Sequence, residues 1–166
     1  MDSSSLLICR LHKARSHNLF KNIVKFSKSS FGFYYGFKFH LITDVEGLPL
    51  SFSVNTLEER KWLEIQLKST FKDWNFLIVG DKGYQSKDLQ NIAYQSGNYL
   101  LTGVRKSKKQ TLPLAFWQFE SLKLRARIET VFGKLKNDFN LGGTKRRSKI
   151  GFIFNILLAI FGLLTI

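Results

Sequence analysis

The sequence holds one cysteine, two prolines and one methionine in 166 residues, and 12 acidic residues against 26 Lys plus Arg. A single thiol, Cys9, excludes a disulfide scaffold and any zinc site built on cysteines. The shortage of acids leaves a formal charge of +14 and a pI near 10.0. A chain so charged suits a polyanion, and nucleic acid is the commonest such partner of a soluble domain. The cations also cluster, in Arg105-Lys106-Ser107-Lys108-Lys109 and in Lys145-Arg146-Arg147-Ser148-Lys149, which favours a nucleic-acid partner over mere solubility. Hydrophobic residues make up 44% and aromatic residues 14%, enough to exclude disorder and to expect one basic globular domain.

Long hydrophobic runs are scarce as well. Met1 to Ser5 has no basic start, and the apolar patch Leu6 to Cys9 is too short for a secretory leader. The exception is Gly151 to Ile166, almost wholly apolar, interrupted by Asn155 and preceded by a basic cluster, as a tail anchor would be. Its 16 residues fall short of the ~20 that a spanning helix needs. The expectation is a buried C-terminal helix packed on a sheet, with a membrane anchor as the alternative.

Between these limits the chain alternates strand and helix signals. Residues 10–30 are rich in Lys, Arg, Ser and His without apolar period and read as a basic surface connection. Phe31 to Asp44 is dense in aromatic and β-branched residues, Asp44-Val45-Glu46-Gly47 is a turn, and Leu50 to Val54 returns, predicting a hairpin. Thr56 and Glu59 have capping-box spacing ahead of an amphipathic helix through Trp62, Ile65 and Leu67 toward Phe71. Phe76 to Val79 suits a strand buried on both faces. Ser86 opens a helix over Lys87 to Gln95, closed by Ser96-Gly97-Asn98, and Tyr99 to Val104 reads as a last strand. After a basic loop holding Pro113, one long helix is predicted from about Phe119 to Phe139. The sum is an α/β domain with a mixed sheet, with no internal repeat.

Three acids have a context suited to chemistry. Asp81 follows an apolar strand and precedes Lys82-Gly83-Tyr84, and ligands of open α/β sheets collect outside the carboxyl ends of strands; an Asp that merely caps the next turn fits the spacing equally. Glu129, on the long helix, has Arg125 and Lys136 within about 40° of it at ~100° per residue, beside an apolar stripe of Ile128, Phe132, Leu135 and Phe139. An acid between two cations can ligate a metal while the cations hold phosphate, although for an isolated helix an i, i+4 surface pair is the simpler account. Asp2, before Ser3-Ser4-Ser5, reads alone as a floppy terminal acid. Of the histidines, His40 is expected to be packed, whereas His12 and His17 lie in the basic connection. The alternating aromatics Phe31, Phe33, Tyr35, Phe37 and Phe39 suit a core better than a base-stacking platform.

Asp2-Ser3-Ser4 leading to Cys9, then Phe33-Tyr34-Tyr35-Gly36-Phe37-Lys38-Phe39-His40-Leu41, Gly80-Asp81-Lys82-Gly83-Tyr84 and Arg125-Ala126-Arg127-Ile128-Glu129 with Lys136 together resemble the catalytic domain of bacterial DDE transposases. The likeness is nearest to the insertion sequence nine-eight-two family, within the group that bears a Tyr-Arg-Glu-Lys signature, and runs in order over nearly the whole chain. It implies an RNase H-like mixed sheet with flanking helices and a metal-binding catalytic triad of Asp2, Asp81 and Glu129. It also implies two Mg²⁺ ions, for which Mn²⁺ can substitute. Arg125 and Lys136, and with them Arg127, Lys145, Arg146 and Arg147, are the expected DNA contacts. Leu122 stands where the signature has tyrosine. The implied activity is cleavage and strand transfer at insertion-sequence ends, with transposon ends and target DNA as partners. A homo-oligomer in the synaptic complex, a cytoplasmic, nucleoid-associated location and no membrane partner are implied too. Only Met1 precedes Asp2, so the first, central strand is expected to be missing. Residues 1–166 then form a partial, N-terminally truncated catalytic domain without its upstream DNA-binding domain, a truncated or inactive copy; a non-catalytic DNA-binding remnant is the alternative.

Overall fold

The computed structural model describes residues 1–29, 32–103, 114–142 and 148–165. It is a mixed α/β fold with six strands and five α-helices among these residues. The chain divides into two compact units: Met1–Asp2 with Leu57–Ile128, and Ser3–Thr56 with Glu129–Ile166.

The second unit is built on β3 (Gly32–Thr43), the long aromatic strand predicted from Phe31 onward. Its first half pairs antiparallel with β2 (Lys25–Ser29), from Lys25↔Gly36 to Ser29↔Gly32. Its second half pairs antiparallel with β4 (Pro49–Asn55) as the expected hairpin, with a register shift between Ile42 and Thr43. The turn is held by Asp44, whose Oδ1 accepts from the N–H groups of Glu46, Gly47 and Leu48, each at 2.9 Å. Such an Asx turn supplies partners the strands cannot.

β1 (Asp2–Cys9) lies on the other side of β3. The expected loss of the first strand is therefore corrected, because Asp2 to Cys9 itself forms one. Leu6 and Ile8 are buried and Leu7 between them is exposed, which is the period of two that a strand requires. Ladder hydrogen bonds come from the backbone, so the poor strand propensity of Ser3 to Ser5 is overridden by the partner beside them. The approach is close: a Cβ at Gly36 would collide with the Leu6 carbonyl.

The basic connection is likewise more ordered than expected, with a 3-10 turn over Leu11–Ser16 followed by β2. Inside this unit Phe39 meets Phe132 edge-on, with ring centroids 5.9 Å apart. Phe152 packs on Phe20 and Phe37, at 5.2 and 5.7 Å. Phe132 belongs to α4 (Ala126–Asn137) and Phe152 to α5 (Lys149–Leu164). α5 is only half the buried helix expected. Phe152, Ile156, Ala159, Ile160 and Leu163 are buried, whereas Ile150, Ile153, Phe154 and Phe161 are exposed, since a helix laid on one partner hides one side. No helix among the described residues is long and apolar enough to cross a membrane.

In the first unit, β5 (Leu77–Gly80) and β6 (Tyr99–Thr102) pair in parallel, Leu77↔Tyr99 through Gly80↔Thr102. The crossover between them holds α2 (Lys87–Gln95), whose N-cap Ser86 accepts from Leu89 N as predicted. Gly97, at φ +73°, turns the chain back after it. Asn98, fully enclosed, donates to Phe71 O at 2.7 Å and Ser96 O at 2.8 Å and accepts from Phe76 N at 3.0 Å. One side chain thus ties the entry of β6 to that of β5. α1 (Glu59–Lys68) contributes buried Trp62, Leu63 and Leu67, but the expected capping box does not form: Glu58 is the N-cap and makes no side-chain bond.

The single long helix is corrected to two, α3 (Phe116–Lys123) and α4. At the join Leu124 N bonds to Ser121 O, Arg125 N to Leu122 O and Ile128 N to Arg125 O. Such i→i−3 tightening is frequent where an α-helix ends. The apolar residues explain it: Ile128, Val131, Phe132 and Leu135 are buried, whereas Phe116, Trp117, Phe119 and Leu124 are exposed, so no common stripe spans both halves.

Candidate active site

β5 is four apolar or small residues, and Asp81 comes immediately after its carboxyl end, at extended backbone angles. A 3-10 turn, Lys82–Tyr84, follows; its Tyr84 is buried and its Gly83 O accepts from Arg60 Nε of α1 at 3.1 Å. The Asp81 side chain makes no capping bond to that turn. The capping role that spacing allowed is thereby removed, and the carboxylate is left facing other partners.

Met1 brings in the second acid. Its amine nitrogen donates to Val79 O at 2.8 Å, and its side chain covers Gly80, where a Cβ would come within 2.6 Å of Met1 Cε. Asp2 is thus held beside the end of β5 rather than loose. Burial lowers the Met1 amine from 8.0 to about 6, with Asp2 opposing the shift and Arg125 adding to it.

Arg125 closes the group. Its Nη1 lies 3.6 Å from Asp81 Oδ1 and 4.0 Å from Asp2 Oδ2, with all three side chains partly open to solvent. Two carboxylates sharing one guanidinium leave a net negative charge at a strand end, and their oxygens are the hard donors that divalent cations take. Sequence spacing paired Arg125 with Glu129 through helix periodicity. In the structure Arg125 stands at the join of α3 and α4 and reaches Asp2 and Asp81 as well. Nothing in the local sequence marks the join, because it contains neither Gly nor Pro.

The other expected site residues that the structure describes lie on α3 and α4. Glu129 is exposed in the first turn of α4, where the helix dipole favours an acid. Arg127 and Lys136 are exposed on the same helix, and Leu122 is half-buried on α3. Lys145, Arg146 and Arg147 lie outside the described residues, as does the cluster Arg105 to Lys109. Among the described residues, no three His, Cys, Asp or Glu side chains gather as a metal-binding group. His40 is wholly buried on β3 opposite Ser53, packed as expected; His17 is half-buried and His12 exposed.

An acid at the carboxyl end of a β-strand, joined by a second acid and an arginine, puts oxygen donors and one cation in a single group. Residues 1–149 match the family described as Transposase DDE domain, and the chain belongs to that family. No match was found among curated proteins or among solved structures.

Proposed function

We propose that this chain is the catalytic domain of a transposase that cleaves DNA at the ends of an insertion sequence and joins the freed strand to a target. The observation that carries the proposal is the convergence of Asp2 and Asp81 on Arg125, at residues inside the stretch that matches the transposase family. The fold is read as RNase H-like, an assignment favoured by a sheet in which β3 pairs with β1 and antiparallel with β4, and by the parallel pair β5 and β6. The finer likeness to the insertion sequence nine-eight-two family rests on the sequence motifs.

Asp2, Asp81 and Glu129 are assigned as the residues that hold two Mg²⁺ ions. Bound there, the ions would supply Lewis-acid stabilisation of the attacking and leaving oxygens of an in-line displacement. The donor set fits, since two of the three carboxylates already approach one cationic nitrogen and offer only oxygen. The protein's own part is to fix those oxygens on β1 and at the end of β5. Arg125, Arg127 and Lys136, followed in the chain by Lys145, Arg146 and Arg147, are assigned to the phosphate backbone of the element's ends and target. Each such contact adds to the salt dependence of binding. The synaptic assembly would be a homo-oligomer.

Cleavage of a labelled duplex carrying the element's ends, in Mg²⁺, tests the assignment. Asp81→Asn and Glu129→Gln should abolish cleavage and strand transfer and leave duplex affinity within about twofold, because neither removes a phosphate contact. Mn²⁺ binding followed by electron paramagnetic resonance should weaken in the same variants. Cleavage at the unsubstituted level in either one overturns the triad. The alternative is a non-catalytic DNA-binding remnant. It predicts salt-sensitive binding and no cleavage in Mg²⁺ or Mn²⁺ by the unsubstituted chain.

A further inference from the structure

The alternating aromatics of β3 do not share one fate. Tyr35, Phe37 and Phe39 are buried, but Phe33, at the outer end of the same face, is 67% exposed. Directly opposite it on β2 stands Lys28, with Nζ 5.7 Å from the Phe33 ring centroid. Two residues back on β2 is Phe26, 58% exposed, opposite Tyr35 and with its ring 5.0 Å from the tyrosine ring. Residues directly opposite in a ladder project from the same side of the sheet. Phe26 and Lys28 on the outer strand β2 and Phe33 on its neighbour β3 therefore form a small platform of two open rings and a cation.

The charge around the platform has one sign. Between Asp2 and Asp44 the chain carries seven Lys or Arg and no acidic residue. Arg10, Lys13, Arg15, Lys21, Lys25 and Lys28 are exposed. A second copy of the same cationic surface is repelled, and a polyanion is attracted. Phenylalanine has no donor or acceptor with which to read the edges of paired bases in a groove. What it offers is a ring face, which is useful to bases that are not already stacked within a duplex.

We propose that Phe26 and Phe33, with Lys28 between them, form a binding site for single-stranded DNA, stacking unpaired bases while the surrounding cations hold the phosphates. The two rings are diagonal neighbours across the ladder, about 7–8 Å apart at their roots, a spacing that lets successive splayed bases find separate faces. Lys28 over Phe33 adds a cation beside the stacked base. The site deepens the reading of this protein as acting on DNA, since strand cleavage leaves unpaired ends to be held. It does not depend on Asp2, Asp81 or Glu129.

The test is binding of the full chain, in buffer of fixed salt, to a fluorescein-labelled oligo(dT) and to a duplex of equal length, read by anisotropy. Phe33→Ala and Phe26→Ala should each weaken oligo(dT) binding about fivefold or more, the loss of one stacked base, with duplex binding within about twofold. Phe33→Trp should restore or tighten oligo(dT) binding, which separates stacking from folding. A 2-aminopurine placed in the strand should be quenched by the unsubstituted protein and less so by Phe33→Ala. Equal losses on both DNAs, unchanged oligo(dT) binding, or a defect confined to binding of phosphatidylserine vesicles overturns the proposal. Triad variants that lose cleavage yet keep oligo(dT) binding leave it standing, and oligo(dT) failure with intact cleavage removes it alone.

Discussion

The guanidinium of Arg125 stands 3.6 Å from the carboxylate of Asp81. Both side chains are partly in water, and exposed ion pairs contribute about 0–1 kcal/mol, so stability does not account for the arrangement. Arg125→Ala is expected to move the urea unfolding free energy by less than about 1 kcal/mol. It should weaken duplex DNA binding and make the plot of affinity against salt shallower by the value of one phosphate contact. An unchanged slope would assign Arg125 to the carboxylates alone.

Gly36 predicts a backbone effect. No side chain fits where β3 passes the Leu6 carbonyl, so Gly36→Ala must push β1 away from its neighbour. The expected loss is about 1–3 kcal/mol or more in chemical denaturation. A smaller change would mean that β1 can shift along β3 at little expense.

Asn98 predicts a side-chain effect of similar size by another route. Asn98→Ala strands the carbonyl of Phe71 and the amide of Phe76, while Ser96 O keeps its bond from Asp73 N at 2.8 Å. Each unsatisfied group costs about 1–3 kcal/mol, so a fall in thermal midpoint well beyond that of Arg125→Ala is expected. Asn98→Asp keeps the acceptor for Phe76 and loses both donated bonds, and it should be no better tolerated.

Cys9 makes stability depend on alkaline pH. Burial raises its thiol pKa above 9.0, with Lys13 opposing, so the folded chain keeps the proton after the unfolded chain has released it. The contribution to stability is complete below pH 9.0 and is lost as pH rises through the folded value. Urea midpoints should therefore fall more steeply above pH 9.0 in the unsubstituted protein than in Cys9→Ala. Alkylation by iodoacetamide at neutral pH should be slow until the chain unfolds.

Much of this was legible in the residues. Phe31 to Val54 announced a hairpin because its aromatics alternate and Asp44 to Gly47 can only turn. Asp81 stood out because an apolar strand ends against it, and Ser86 because it precedes a helical period. β1 and β2 were hidden by composition, since Ser3 to Ser5 and Lys25 to Ser29 carry little strand propensity and owe their conformation to β3. α5 looked buried on all sides because every face is apolar, yet the described structure covers only one. At the site, Asp81 and Asp2 could be named one by one, but their meeting through Arg125 joins residues far apart in the chain, which no local spacing signals.

The division of the chain also orders its synthesis. Residues 57–128 of the first unit form one continuous stretch, whereas the second unit joins Ser3–Thr56 to Glu129–Ile166. On the ribosome the early strands β1 to β4 must wait, with Phe37 and Phe39 lacking their partners Phe152 and Phe132, until α4 and α5 have been made. The intervening stretch can collapse meanwhile on its own short-range contacts, which form soonest. Nascent β3 therefore stays incompletely packed until the last helices emerge.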